Sequence, residues 1–449
     1  MRYLFCSSFF LFLFPVFCGW SQESPKPIVI VLTDIGGDTD DEQSLVRFLY
    51  YADHFDIQGI CATSRLGHGQ DTKPELIFKQ LKAYQQVYPN LVLHAAGLPH
   101  PDTLFDKVKN GLGDHSRLGE GYDTEASEHI IRIVDDAEGM VHIPVWGGLR
   151  ELAQALWKVK KGRSPEEVAA FCKKIQVHAI GDQDGHRNYL WSEFKDLRFI
   201  ASGFAWLGFT GVRELSAFRG MYMTGDVSMQ DGDWVRNHIH GNGALSDCYQ
   251  LHGHGTDGMK EGDSPSFLGL ISNGLNSPER PEWGGWGGRF RKIPGSIYVD
   301  APDFLDGTLN ERHSVARWRR AFQRDFMARI KWATNSFQEA NHPPTVCVNG
   351  STGLDPVVFS VKGGESIRLD AAGSMDVDGD GLGFNWFVYE ELFKPSQELF
   401  SSSAREDAAI LVRIPEDGLA APVHIILEVQ DTGVPQLSSY RRIIFQPEP

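Results

Sequence analysis

The chain is 449 residues long, which favours two folded units over one. Its 41% hydrophobic fraction is that of an ordinary water-facing globular protein. A formal net charge of −16 argues against nucleic acid as a partner, because phosphates reward clustered Lys and Arg, and suits a neutral sugar polymer or a cation.

Residues 1–21 open with Arg2, then a nearly unbroken apolar run over 3–17, then a polar stretch. That is the pattern of a secretory signal peptide, with an apolar core too short to span a bilayer comfortably. No later segment is apolar for long enough to be transmembrane, so the expected destination is secreted or periplasmic. Of six cysteines, Cys6 and Cys18 would leave with the signal. Cys61, Cys172, Cys248 and Cys347 lack metal-type spacing and read as buried free thiols, with one long-range disulfide as the alternative in an oxidising compartment.

From Pro27 onward, strand-like and helix-like patterns alternate. Residues 28–32 read as a fully buried strand, and Asp40, Asp41 and Glu42 open an amphipathic helix through Leu45, Phe48 and Leu49. Further strands are expected at 57–62, 91–95, 141–146, 175–180 and 199–201, with helices at 74–87, 124–134 and 149–159. This alternation predicts an α/β domain: a mostly parallel sheet with helices on both faces, which binds ligands at the carboxyl ends of its strands. Between 210 and 296 the pattern gives way to Gly, His, Asp and Trp, a loop region long enough to be functional. Residues 301–340 turn helical again, with Trp318, Phe322, Phe326, Ile330 and Trp332 roughly on one face. His342-Pro343-Pro344 marks the expected boundary between an α/β domain over 25–340 and an all-β immunoglobulin-like sandwich over 343–449. Sandwich strands are expected at 357–361, 366–369, 382–389, 409–414 and 423–429.

The strongest chemical signal is the run Thr33-Asp34-Ile35-Gly36-Gly37-Asp38-Thr39-Asp40-Asp41, between the first buried strand and the first helix. Carboxylates crowded into one turn repel each other unless a cation neutralises them. With only oxygen ligands on offer, Ca²⁺ is the natural occupant. An acidic N-cap is the plainer alternative, but the position at a strand carboxyl end favours the metal. Asp182 and Asp184 follow the 175–180 strand, where they could bind hydroxyls, support the site or simply form a turn. Trp283 and Trp286, spaced by glycines, could lie open as sugar-stacking platforms or pack into a core turn. His238, His240, His252 and His254 fit a mobile lid or one titrating acid better than zinc. Asp376, Asp378 and Asp380 form either a solvated turn or a structural calcium loop.

The Asp34–Asp41 run resembles the aspartate cluster of nucleoside hydrolases, in which an Asp after the first strand precedes an Asp pair. The resemblance implies one bound Ca²⁺, with Asp34 as general base and metal ligand and with Asp40 and Asp41 as ligands or their supports. Here the pair follows Asp34 by six and seven residues instead of the family's four and five, which leaves the roles of Asp34, Asp38, Asp40 and Asp41 open. Val145 through Ala153 is similar to the family's Gly-Pro-Leu-Thr-Asn-Leu-Ala turn, which implies a metal contact from the Arg150 backbone carbonyl. Glu261-Gly262-Asp263-Ser264-Pro265 is similar to the late His-Asp-Pro segment, which implies Asp263 as a ligand. Gly262 replaces the His, so leaving-group protonation must differ or be missing.

Residues 40–47, 181–184 and 282–289 extend the likeness over almost the whole chain. They resemble a bacterial family of secreted nucleoside-hydrolase-like proteins with a C-terminal immunoglobulin-like domain, often described as cellulose-binding. This implies a calcium-dependent hydrolase of glycosidic or N-glycosidic bonds acting on a carbohydrate or glycoside. The alternative it leaves is a non-catalytic polysaccharide binder on the same fold.

Overall fold

The computed structural model describes residues 25–65, 69–204, 215–252 and 258–448. The signal-like segment 1–21 and His254 lie outside the described residues. Eight strands form the first sheet: β1 (Ile28–Thr33), β2 (Asp56–Ala62), β3 (Val108–Asn110), β4 (Val141–Val145), β5 (Ile175–Ile180), β6 (Arg198–Ser202), β7 (Phe290–Lys292) and β8 (Ile297–Asp300). Their order is β3-β2-β1-β4-β5-β6-β8-β7. Every neighbouring pair is parallel except β7 with β8.

The central strands are buried at nearly every position, polar His142, Gln176 and His178 included, because both faces are covered. Successive residues point to opposite faces, so Val29 and Val31 pack under the Thr39–Tyr50, Pro74–Leu91 and Arg319–Trp332 helices. Ile30 and Leu32 pack under Glu125–Asp136 and Arg150–Gly162. Local chemistry sets the helix starts: Thr124 and Ser164 each form a reciprocal capping box, and Asp38 caps the Thr39–Tyr50 helix.

Residues 91–95 do not form the expected strand. The buried positions Ile77, Leu81, Tyr84, Val87 and Leu91 keep helical spacing to the end of Pro74–Leu91, and the chain then turns with Val92 and Leu93 39% and 57% exposed. The third strand is instead Val108–Asn110, a three-residue edge too short to announce itself. The expected helical stretch from 301 begins with a hairpin of β9 (Asp303–Leu305) and β10 (Thr308–Asn310). Its turn, Asp306-Gly307, has both φ positive, at 49° and 78°. Helices His313–Ala316 and Arg319–Trp332 follow.

The second unit contains β11 (Val357–Val361), β12 (Ser366–Asp370), β13 (Leu382–Val388), β14 (Ala409–Arg413), β15 (Val423–Asp431) and β16 (Ser438–Pro447). A four-stranded sheet, β11-β16-β15-β13, and the pair β12-β14 enclose Trp386, Val412, Leu427 and Phe445 as an immunoglobulin-like sandwich. The long β16 is an addition to the expected strands. It matters because it faces the α/β unit: Tyr440 packs on Trp286 and Trp318, and buried Arg442 donates to the carbonyls of Leu275 and Gly284 at 2.8 and 2.9 Å. Tyr389 also packs on Trp318, and its hydroxyl donates to Asp303 at 2.7 Å. Cys61, Cys172, Cys248 and Cys347 are all free thiols. Among the described residues, no helix is long and apolar enough to cross a membrane.

Candidate metal centre

The sheet order reverses between β1 and β4. From β1 the chain moves outward to β2 and β3, then returns to β4 on the other side. Loops leaving the carboxyl ends of these two strands diverge and open a crevice, the usual ligand position in such sheets. Asp34 leaves β1 into this crevice, and Gly147 leaves β4 against it. A Cβ on Gly147 would sit 2.5 Å from the Asp34 Cβ, so only glycine admits that carboxylate. The turn closes with Gly37 N–H donating to the Asp34 carbonyl at 3.0 Å. Asp38 then accepts the Thr39 N–H at 2.9 Å as the helix cap, which puts Asp40 and Asp41 in the first helical turn.

Asp263 arrives from a distant segment just before the Pro265–Leu268 helix. Carboxylate oxygens of Asp40, Asp41 and Asp263 all lie within 4.8 Å of one another. Asp41 and Asp263 are each 2% exposed. Thr33 donates its hydroxyl to Asp41, whereas Asp263 Oδ2 is buried with no hydrogen-bond partner. Burial, then repulsion from Asp40, raises the Asp34 carboxyl to about 7. Burial followed by neighbouring carboxylates lifts Asp41 and Asp263 well above the usual range. Such a set cannot ionise together without added positive charge. The orphaned buried oxygen and the all-oxygen donors fit a hard divalent cation of the Ca²⁺ kind, and the absence of Cys and His from the group disfavours softer metals.

Asp38 stands apart. Burial would raise its carboxyl, but Lys260 hydrogen-bonds it and holds it below the ordinary value. The same ammonium lies 3.5 Å from Asp40.

Other expected residues have mixed fates. Arg150 opens its helix, donates its backbone N–H to Asp184 at 2.8 Å, and buries its side chain against the carbonyls of Arg117 and Tyr122 and the Glu151 carboxylate. Asp184 accepts from the backbones of Arg150 and His186, bracing that helix start beside Gly148. Asp182 pairs with Arg187 at 3.1 Å and keeps one buried oxygen without a hydrogen-bond partner. The open sugar platform expected of Trp286 does not form: it is 2% exposed, covered by Phe322 and Tyr440. Trp283 is half-buried at the junction with the sandwich, against Arg280 and His424. The glycines around the two rings serve close packing, with Gly285 against Asn276 and Gly287, just after Trp286, against Gly269. Of the histidines between 238 and 254, the three described go to different partners: His252 contacts Thr39 at 3.0 Å, His240 meets the Tyr249 carbonyl, and His238 packs on Trp234. Asp378 accepts from His342 and Asp376 accepts the Asp378 N–H, so that loop ties down the connection between the units.

Sequence reasoning missed Lys260, and also Thr63 and Ser64. The hydroxyls of Thr63 and Ser64 are buried without partners just past the carboxyl end of β2. Their position directly after a buried strand is the signal that could have marked them. At Gly262, a Cβ would lie 3.2 Å from both Asp40 Oδ2 and the Phe218 ring, so a side chain there would press on both and require them to give by a few tenths of an ångström.

Fold and site together define a nucleoside-hydrolase-like α/β protein with an acidic oxygen-donor centre and a C-terminal sandwich. The chain belongs to the family described as cellulose-binding Sde182, nucleoside hydrolase-like domain, which matches residues 28–290. The cellulose-binding protein Sde0182 C-terminal domain matches residues 366–447. A solved structure of a nucleoside hydrolase-related hypothetical protein from Saccharophagus degradans, described as associated with carbohydrate metabolism, is 33% identical. It covers 94% of this chain and 100% of its own, with a TM-score of 0.80. An inosine-uridine preferring nucleoside hydrolase from Bacillus anthracis is a remote likeness, at 11% identity and a TM-score of 0.35 over 69% of this chain and 100% of its own. No curated protein matches the chain.

Proposed function

We propose that the protein is a secreted, calcium-dependent hydrolase of glycosidic or N-glycosidic bonds, directed at a carbohydrate or glycoside. The observation that carries this reading is the convergence of Asp40, Asp41 and Asp263 beside Asp34 at the β1/β4 crevice. Asp40, Asp41 and Asp263, with Asp34 and the Arg150 carbonyl, would hold the cation. When bound, it supplies positive charge that acidifies water and orients sugar hydroxyls. Asp34 accepts the proton of the attacking water as positive charge develops at the anomeric carbon. The family description supports a carbohydrate partner, and the signal-like N-terminus supports secretion.

One observation favours a second reading, a non-catalytic polysaccharide binder. Gly262 carries no side chain that could protonate a leaving group from that position, and a Cβ there would press on Asp40 Oδ2 and Phe218 at 3.2 Å. Purified protein assayed with Ca²⁺ against a panel of glycans and nucleosides separates the two. Turnover that drops at least about a hundredfold in Asp34→Asn supports the hydrolase. Glycan binding without turnover on any member of the panel supports the binder.

A further inference from the structure

Asp40 and Asp41 belong to one segment and Asp263 to another, more than two hundred residues away, so something must hold the two segments in register. We propose that Gln43, Arg47 and Glu261 form the clamp that positions the three carboxylates for a divalent cation; this rests on the reading that the cluster holds one.

Asp40, Gln43 and Arg47 follow one another along one stripe of the Thr39–Tyr50 helix, at spacings of about one turn. At the top of that stripe is a carboxylate of the centre. Below it, Gln43 Oε1 accepts the backbone N–H of Lys260 at 2.7 Å and of Glu261 at 3.1 Å, while its Nε2 donates to the carbonyls of Gln250 and Gly258. One amide side chain therefore grips the incoming segment on both of its edges. Arg47 lies at the bottom of the stripe, fully buried. It donates to both oxygens of Glu261, at 2.5 Å from Nε and 3.0 Å from Nη2, and further to Gln323 at 2.6 Å.

Glu261 is also fully buried, and it takes two more donors, Tyr249 at 2.5 Å and Ser264 at 2.7 Å. Its φ is +39°, the left-handed region that a non-glycine residue occupies only when its surroundings over-determine it. That turn reverses the chain between Lys260, which faces Asp38 and Asp40, and Asp263, which joins Asp40 and Asp41. Among the described residues, the side-chain hydrogen bonds of Gln43, Arg47 and Glu261 reach none of Asp34, Asp40, Asp41 and Asp263. It acts through the placement of Asp263, so these three are positioning residues.

Calcium titration calorimetry on chelator-stripped full-length protein, paired with thermal melts, tests this. Gln43→Ala removes the grip on the backbone, and Glu261→Gln removes the charge while keeping the shape. Each is expected to stay folded and to bind Ca²⁺ at least about tenfold more weakly, as loss of support behind metal ligands typically costs. A folded Gln43→Ala or Glu261→Gln protein with wild-type Ca²⁺ affinity overturns the clamp while leaving the cation site standing. If neither variant folds, the contacts serve folding and the positioning role is likewise overturned. A wild-type protein that takes up no Ca²⁺ overturns the cation reading itself, and the clamp with it.

Discussion

Asp34 and Gly147 are packed so closely across the β1/β4 crevice that a single added methyl group would overlap the carboxylate, at 2.5–2.6 Å from its Cβ, Cγ and Oδ1. The glycine is thus part of the site without contributing a functional group. Gly147→Ala should displace Asp34 and weaken the centre while leaving the buried strands intact. Thermal melts with and without Ca²⁺ provide the check: a variant that keeps the full calcium-dependent shift would show that the crevice tolerates the methyl.

Calcium should stabilise the wild-type protein by linkage, by about 2.7 kcal/mol at a hundredfold excess over the dissociation constant. Asp41→Ala should lose most of that gain, because it removes a buried carboxylate from the three-oxygen group. Calorimetric melting of both proteins in chelator and in calcium measures it. Equal shifts in the two would place the cation elsewhere.

Trp286→Ala should act on stability and leave carbohydrate contact alone, since the ring is enclosed by Phe322 and Tyr440. Truncating a buried Trp costs on the order of 3–5 kcal/mol. Denaturant unfolding reads the loss. A variant of wild-type stability with impaired glycan binding would restore the platform role.

A chain ending at Ala340 should be insoluble or strongly destabilised, although 25–340 reads as a separate domain in the sequence. Removing the sandwich would uncover Trp286 and Trp318 and strip the Leu275 and Gly284 carbonyls of Arg442. Size-exclusion chromatography of the truncated protein decides the matter, and a monomeric, cooperatively melting product would count against this.

The Asp300 carboxyl titrates in an accessible range. Burial raises it from 3.8 to about 6, against the donors Gly203 N–H, Ser202 hydroxyl and Ala217 N–H. The folded state therefore holds this proton more tightly than the unfolded chain does. The resulting stability is complete below 3.8 and is lost as pH rises through about 6. Asp300 is partly open to solvent, so the effect is on the order of 1 kcal/mol. Asp300→Asn should flatten the fall in stability between about pH 4 and 7, as measured by melting across that range. Parallel wild-type and variant profiles would contradict it.

Much of the α/β framework was legible because its signals are local. The buried run ending at Thr33, the Asp38 cap and the apolar spacing from Leu45 to Leu49 lie within one strand-turn-helix stretch. Position after that strand was enough to single out the acidic run. The strand expected at 91–95 failed because the Pro74–Leu91 helix runs four residues past Val87, its expected end. A short apolar run such as 91–95 carries no period of its own to tell a helix end from a strand.

What the sequence determined by itself was the alternating α/β order, the sandwich that follows it, and the strand-end placement of Asp34, Asp40 and Asp41. Each of these is written in hydrophobic period and turn chemistry over about a dozen residues or fewer. Asp263 could be named only by its likeness to a His-Asp-Pro segment, since no local pattern ties it to a turn more than two hundred residues earlier. The tertiary structure decided that meeting, through Gln43 and the Arg47–Glu261 pair. It also decided that Lys260 takes Asp38 away from the cluster, and that Trp286 is enclosed by Phe322 and Tyr440. These outcomes depend on which distant surfaces pack together, and side-chain burial and charge pairing across such contacts leave no period in the chain.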